Sequence, residues 1–133
     1  MSEYDCCMLD YSHKSAIDAL KIPRRVIMAT NGPAGLLASE FFCESADMKL
    51  YVLVPKTSDH LFNLENDNSV SLVTDAWELK GQAQILSETP ADLHLNIFIE
   101  PNSEWCTLVR IAPRQIHFLR NKGWGNLESI DLT

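Results

Sequence analysis

The chain has 133 residues, 46% of them hydrophobic, and a formal net charge of −7. A chain of this length suits one domain, here taken as residues 1–133, which buries roughly two thirds of the surface that its unfolded form exposes. The negative charge argues against a general nucleic-acid or anionic-membrane binder, because both partners require a basic surface.

Residues 1–12 are polar and irregular, and we expect them to form a loose N-terminal arm. They lack the basic start and apolar core of a signal peptide, and no apolar run in the chain reaches the roughly 18 residues of a membrane helix. We therefore expect residence in the cytoplasm. The four cysteines have neither metal-ligand spacing nor the pattern of a disulfide framework, so no metal site is predicted.

A short amphipathic helix is predicted after Ser12, because Ile17 and Leu20 are three residues apart, and Pro23 ends it. Three runs of β-branched and apolar residues follow on short turns, the first of which contains two glycines. Such spacing is typical of an antiparallel meander. The predicted strands are 24–30, 36–43 and 48–54.

The third strand leads into a second predicted helix. Residues 57–59 form a good helix N-terminus, and 66–68 are residues that stop a helix. Between them, Leu61, Phe62 and Leu64 are expected to form the apolar stripe.

Two alternating strands are predicted next, at 69–75 and 77–86, and the second places Leu79, Gly81, Ala83 and Ile85 on one face. A third helix is predicted over 89–99, with Thr89 as its cap and Pro90 in its first position. The last strands are predicted at 105–112 and 115–120, separated by Pro113 and Arg114.

This makes six or seven antiparallel strands, a number that also fits a sandwich. The helix inserted after the third strand and the long gap before Trp105 favour a Greek-key barrel with short flanking helices. Barrel closure also removes exposed strand edges. Six basic residues fall in or beside predicted strands, so a local anion site is compatible with the net charge: Arg24, Arg25, Arg110, Arg114, Arg120 and Lys122.

Residues 25–86 resemble the pyridoxamine 5′-phosphate oxidase-like family, the split barrels that bind flavin mononucleotide (FMN). The likeness lies in the order of three blocks: 25–30 before a Gly-Pro turn, 50–54 leading into 57–67, and 69–73 followed by 81–83. Residues 109–116 also resemble the last hairpin of the family.

The resemblance implies a homodimer that holds FMN in a groove between its subunits. The flavin phosphate would lie between the strand-one arginine, which can form two parallel hydrogen bonds, and the free amides at the start of the inserted helix. The predicted cofactor-binding residues are Arg25, Thr30, Lys56, Thr57, Ser58 and His60.

The resemblance also implies a flavin-dependent oxidoreductase. True pyridoxamine phosphate oxidase activity is not expected, because the chain ends in an acidic segment, 128–133, instead of a basic substrate-binding one. The sequence contains no hydrolase, protease or nucleotide-triphosphatase motif, and no catalytic side chain is assigned. Redox chemistry would belong to the cofactor.

A second hypothesis is a cofactor-free or haem-binding dimeric barrel that acts as a binding or sensor module. It rests on Asp59 and His60, which stand where the family usually has a basic pair. His60, His94 and His117 are the candidate haem ligands, and a deazaflavin is an alternative to FMN. If they have no ligand role, Thr57 and Ser58 are helix caps and His60 is an exposed helix residue.

Overall fold

The computed structural model describes residues 24–95, 103–119 and 127–131, with only the backbone of 24, 119 and 127–131. The predicted arm and the predicted first helix lie outside these residues. Within them the chain forms seven strands and one helix. These are β1 (Arg24–Thr30), β2 (Leu37–Ala46), β3 (Lys49–Pro55), α1 (Asp59–Asn66), β4 (Ser69–Val73), β5 (Trp77–Leu86), β6 (Cys106–Leu119) and β7 (Leu127–Asp131).

The strands form a closed antiparallel barrel, as predicted. Their order in the sheet is β3-β2-β1-β4-β5-β6-β7, and an additional pairing of β3 with β6 closes the first six strands on themselves. Because β1 lies between β2 and β4, the connection through α1 carries the chain past the first hairpin, which is the Greek-key arrangement.

The core fills the inside of the barrel with alternate residues of each strand. In β5 the side chains of Leu79 and Ala83 are buried together with Gly81, while Lys80 and Gln82 are exposed, as the alternation predicts. Each fully buried large side chain contributes about 1.5–3 kcal/mol of transfer free energy. The largest are Trp77, Met28, Leu50, Leu72, Leu79, Leu108, Ile111 and Ile116.

The single strand β6 lies where two strands and a hairpin at 109–116 were predicted, so these two predictions are wrong. The strand runs without a break through Pro113, because a register shift absorbs one extra residue: Gly81 is opposite Pro113, and Lys80 is opposite Gln115. Arg114 is therefore the extra residue of a β-bulge, which tolerates a proline inside a strand. The hairpin of this region is β6–β7, and the strand β7 was not predicted.

The predicted helix at 89–99 does not begin at Thr89. Residues 90–93 form a turn, in which the Leu93 amide donates to the Pro90 carbonyl at 3.1 Å, and 96–99 lie outside the described residues. Leu93 and Leu95 pack against a small cluster that contains Tyr51 and Leu108. Leu93 and Leu95 are two residues apart, so they face the same side of an extended chain, whereas in a helix they would face different sides.

The helix predicted after β3 is confirmed as α1; of its predicted apolar stripe, Leu64 is buried and Leu61 packs against the core, but Phe62 does not. Its buried residues are His60, Asn63 and Leu64, whereas Phe62 is exposed. The positions 60, 63 and 64 follow helical periodicity. Two polar side chains therefore point into the barrel end, and both find hydrogen-bond partners there.

Candidate functional site

A buried polar network joins α1 to the first two strands. The Thr30 hydroxyl lies 2.8 Å from Nδ1 of His60, and Nε2 of His60 lies 2.9 Å from the Ser39 hydroxyl. Nδ2 of Asn63 donates to the Thr30 hydroxyl at 3.2 Å. Thr30, His60 and Asn63 are all buried, whereas Ser39 is exposed, so the network connects the helix to β1 inside the barrel end and reaches the surface at β2.

Asn63 also holds the turn between β1 and β2. Its Oδ1 accepts from the Ala34 amide at 2.9 Å, and its Nδ2 donates to the Gly35 carbonyl at 2.9 Å. The turn approaches the helix so closely that a Cβ on Gly32 would lie 2.8 Å from Asn63 Oδ1. Gly35 has a φ of 90°, which favours glycine. The two glycines thus allow the contact that Asn63 then stabilises.

Burial lowers the pKa of His60 below its ordinary value of 6.5, and the nearby carboxylate of Asp59 opposes this shift only in part. The bonding suits the neutral ring. Thr30 accepts from Asn63 and donates to Nδ1, while Nε2–H donates to Ser39. Both ring nitrogens are therefore engaged, and His60 is not the exposed helix residue considered above.

At the start of α1, Ser58 is the N-cap. Its hydroxyl accepts from the His60 amide at 3.2 Å, and its carbonyl accepts from the Leu61 amide at 3.2 Å. Lys56 and Thr57 are exposed in the turn that leads from β3. The capping role considered for Ser58 is therefore present, and the two residues before it can contact a solute.

Arg25 lies on the outer face of β1, on the side opposite Thr30. Its Nη1 is 2.8 Å from Oε1 of Glu40, and its guanidinium lies 5.2 Å from the ring centroid of Phe42. The predicted cofactor residues thus fall into three groups: Arg25 outside the barrel, Thr30 and His60 enclosed, and 56–58 at the start of α1. The structure joins the last two groups through Ser58 and His60.

A groove of about 340 Å³ runs beside Arg25, between β1, Glu40 of β2 and the turn after β4. Its apolar lining includes Ile27 and Val73, which are paired across β1 and β4. These residues were missed from the sequence. The alternation of side chains along β1 could have identified Ile27, because it places Ile27 on the same face of the strand as Arg25.

Among the described residues, no group of three or more His, Cys, Asp or Glu side chains could hold a metal ion. None of the helices in this part of the chain is both long enough and apolar enough to cross a membrane.

No protein-family model and no curated protein matches the sequence, whereas solved structures match the fold. General stress protein 26 from Bacillus anthracis str. Sterne has a TM-score of 0.64 at 18% identity and covers 85% of this chain and 92% of its own. A putative pyridoxamine 5′-phosphate oxidase from Listeria innocua has a TM-score of 0.60 at 14% identity, over 80% of this chain and 96% of its own. A heme-binding protein from Mycobacterium smegmatis has a TM-score of 0.64 at 15% identity, over 85% of this chain and 54% of its own.

At such identities the shared feature is the fold. This chain has the split-barrel fold of general stress protein 26 and of proteins related to pyridoxamine phosphate oxidase, which is the fold that the sequence resemblance implies.

Proposed function

We propose, from this split-barrel fold, that the protein binds FMN in the groove beside Arg25 and works as a homodimer. It would then be a flavin-dependent oxidoreductase related to pyridoxamine phosphate oxidase without being one. One domain over 1–133 and residence in the cytoplasm belong to the same proposal. The observation that carries it is an exposed apolar patch with a guanidinium at its edge.

Three large apolar side chains form the patch. Ile27, Phe42 and Val73 are 47%, 45% and 36% exposed. They lie on the outer face of adjacent strands, since Ile27 is paired with Val73, and Phe42 is paired with Arg25. Contiguous exposed apolar surface of this kind marks a ligand groove or a protein interface. If a flat flavin ring lay on this patch and a second subunit covered the ring, the patch would be both a ligand groove and a protein interface.

Arg25 is able to bind a phosphate despite its ion pair. The pair with Glu40 is open to water, with side-chain exposures of 68% and 55%. Such surface pairs contribute little to stability because solvent screens them. A phosphate dianion, which accepts two parallel hydrogen bonds from a guanidinium, would compete well with one exposed carboxylate.

The other predicted residues would contribute in different ways. Lys56 and Thr57 are exposed and would supply further donors to an anion at the start of α1. Ser58, Thr30 and His60 would hold α1 in position, because their polar atoms already bond to one another or to the helix. The bound flavin would supply the redox chemistry, and these residues would bind and orient it.

An FMN titration of the purified protein tests the proposal. Arg25→Gln should weaken FMN binding about tenfold, which corresponds to one charge-assisted hydrogen bond pair. Glu40→Gln should strengthen it, because it frees the guanidinium. Arg110→Gln, on β6, is the matched control and should leave the affinity unchanged. Unchanged affinity in Arg25→Gln would refute this phosphate site, whatever Ser58→Ala does.

Haem is the competing ligand, since one protein of the same fold is a heme-binding protein. His60 is poorly placed as an axial ligand, because both of its ring nitrogens have partners. His94, which is exposed, and His117, which is half-buried, remain. A Soret band that is lost in His94→Ala or His117→Ala, in a protein that ignores FMN, would replace the flavin proposal with the haem one.

A further inference from the structure

A second surface, built mainly on β4, β5 and β6 with Lys49 of β3 and the end of β1, is basic although the chain is acidic. Two clefts of about 420 and 370 Å³ meet there at Gln82. Among the residues whose side chains the structure describes, their lining includes four basic residues and one acidic residue, Asp67. The four basic residues are Lys49, Lys80, Arg110 and Arg114.

Both arginines of this surface are held by glutamines. Nη2 of Arg110 donates to Oε1 of Gln84 at 2.7 Å, and Nη2 of Arg114 donates to Oε1 of Gln82 at 2.6 Å. An amide oxygen orients a guanidinium without cancelling its charge, and the remaining N–H donors stay available. Within the described residues neither arginine has an ion pair, in contrast to Arg25. The charge of this surface is therefore retained.

The β-bulge of β6 places one of the two arginines. Arg114 is the extra residue between the pairs Gly81–Pro113 and Lys80–Gln115. Bulges redirect side chains and are frequent beside binding sites. Gly81 allows the strands to approach here, because a Cβ at this position would lie 2.5 Å from the Ala112 carbonyl oxygen. The backbone thus fixes the direction of Arg114.

The clefts offer polar side chains beside the two arginines. Asn31, Ser69 and Ser71 line the first cleft, and Asn68 lines the second. Their hydroxyl and amide groups can donate to phosphate oxygens. Arg110 and Arg114 are four residues apart on an extended strand, which separates their backbones by about 10–13 Å. Their guanidiniums are bonded to Gln84 and Gln82, which are two residues apart on β5, so two anionic groups of one small molecule can reach both of them.

We propose that this surface binds an elongated phosphorylated small molecule, with one phosphate at Arg110 and another at Arg114. The proposal does not depend on the flavin groove, because that groove and these two clefts share no lining residue: Arg25 lines only the groove, and Arg110 and Arg114 line only the clefts.

Calorimetric titration with inorganic tripolyphosphate at low ionic strength tests the site. Arg110→Gln and Arg114→Gln should each weaken binding about tenfold, as expected for a charge-assisted contact. Gln82→Glu and Gln84→Glu should act in the same direction, since they keep the arginines but neutralise them. Arg25→Gln is the control and should bind tripolyphosphate normally, while Arg114→Gln should bind FMN as the unmodified protein does.

The absence of saturable tripolyphosphate binding would overturn the proposal, as would an equal loss in Arg25→Gln. Inorganic phosphate that binds as tightly as tripolyphosphate would overturn the two-phosphate arrangement. A melting temperature that stays constant across the variants shows that any loss of binding is not a loss of fold.

Discussion

His60 and Asn63 on α1 use their hydrogen-bonding groups inside the barrel end, whereas Arg110 and Arg114 on β6 keep most of theirs for solvent. Asn63 alone bonds to Thr30, the Ala34 amide and the Gly35 carbonyl. Each of the two arginines is held by one glutamine oxygen. Both regions are polar, and the sequence did not show which of them is buried and which is exposed.

The comparison separates stability from binding. A buried polar group whose partners are all internal stabilises the fold, and its removal leaves other buried groups without partners. An exposed cation with spare donors contributes little to stability but can bind an anion. The first region should therefore respond to substitution in unfolding experiments, and the second in ligand titrations.

The largest effect on stability is expected from Asn63→Ala. The change removes three side-chain hydrogen bonds and leaves the amide of Ala34 and the carbonyl of Gly35 unpaired in the turn. The free energy of unfolding should fall by about 2–4 kcal/mol, measured by urea denaturation.

Asn66→Ala is the matched control, because Asn66 is an exposed asparagine of the same helix that bonds to the Phe62 carbonyl. It should change the free energy of unfolding by less than about 0.5 kcal/mol. Equal losses in the two variants would show that the buried network does not stabilise the turn.

A smaller, pH-dependent effect is expected from His60. The folded protein holds the His60 proton less tightly than the unfolded chain, whose histidine titrates near 6.5. The unfolded state therefore binds more protons on acidification, and stability falls as the pH drops from 6.5 towards the lowered pKa of the folded state. Above the unfolded pKa the full stability is present.

Urea unfolding at a series of pH values should show this dependence in the unmodified protein and lose it in His60→Gln. His94→Gln, which changes an exposed histidine, should keep it. A slope that survives in His60→Gln would assign the pH dependence to another group and would weaken the contrast between the buried network and the basic surface.

The smallest effect on stability is expected from Arg114→Gln. This side chain is exposed and bonds to Gln82 alone among the described residues. The free energy of unfolding should change by less than about 0.5 kcal/mol, as measured by urea denaturation, even though tripolyphosphate binding is weakened. A loss as large as that of Asn63→Ala would make Arg114 a structural residue of the bulge.

Much of the fold followed from local patterns. The alternation in 77–86 indicated which side of β5 is buried, and residues 57–59 with 66–68 located α1. The pattern was less informative where partners are distant. Pro113 was interpreted as a break between two strands. That prediction was wrong because Gly81, the opposing residue that admits a bulge, lies far away in the sequence. The strand β7 has no apolar run that distinguishes it from a tail.

The candidate site was harder to predict for a related reason. Arg25 was recognised by its resemblance to a family position, but its partner Glu40 and the patch around Ile27 depend on strand pairing. His60 was predicted as a cofactor-binding residue, and without that role it was expected at the surface, since a polar helix residue is usually exposed. It is buried because Thr30 and Ser39, from two other strands, supply its hydrogen bonds.

The sequence by itself determined the antiparallel strands, the inserted helix and the barrel, because periodicity and turn residues act over a few neighbouring positions. The tertiary structure alone decided which polar residues are enclosed and which cations keep their charge. Those outcomes depend on contacts between elements far apart in the sequence, such as Asn63 with Ala34, 29 residues apart, and Arg114 with Gln82, 32 residues apart, and no local pattern records them.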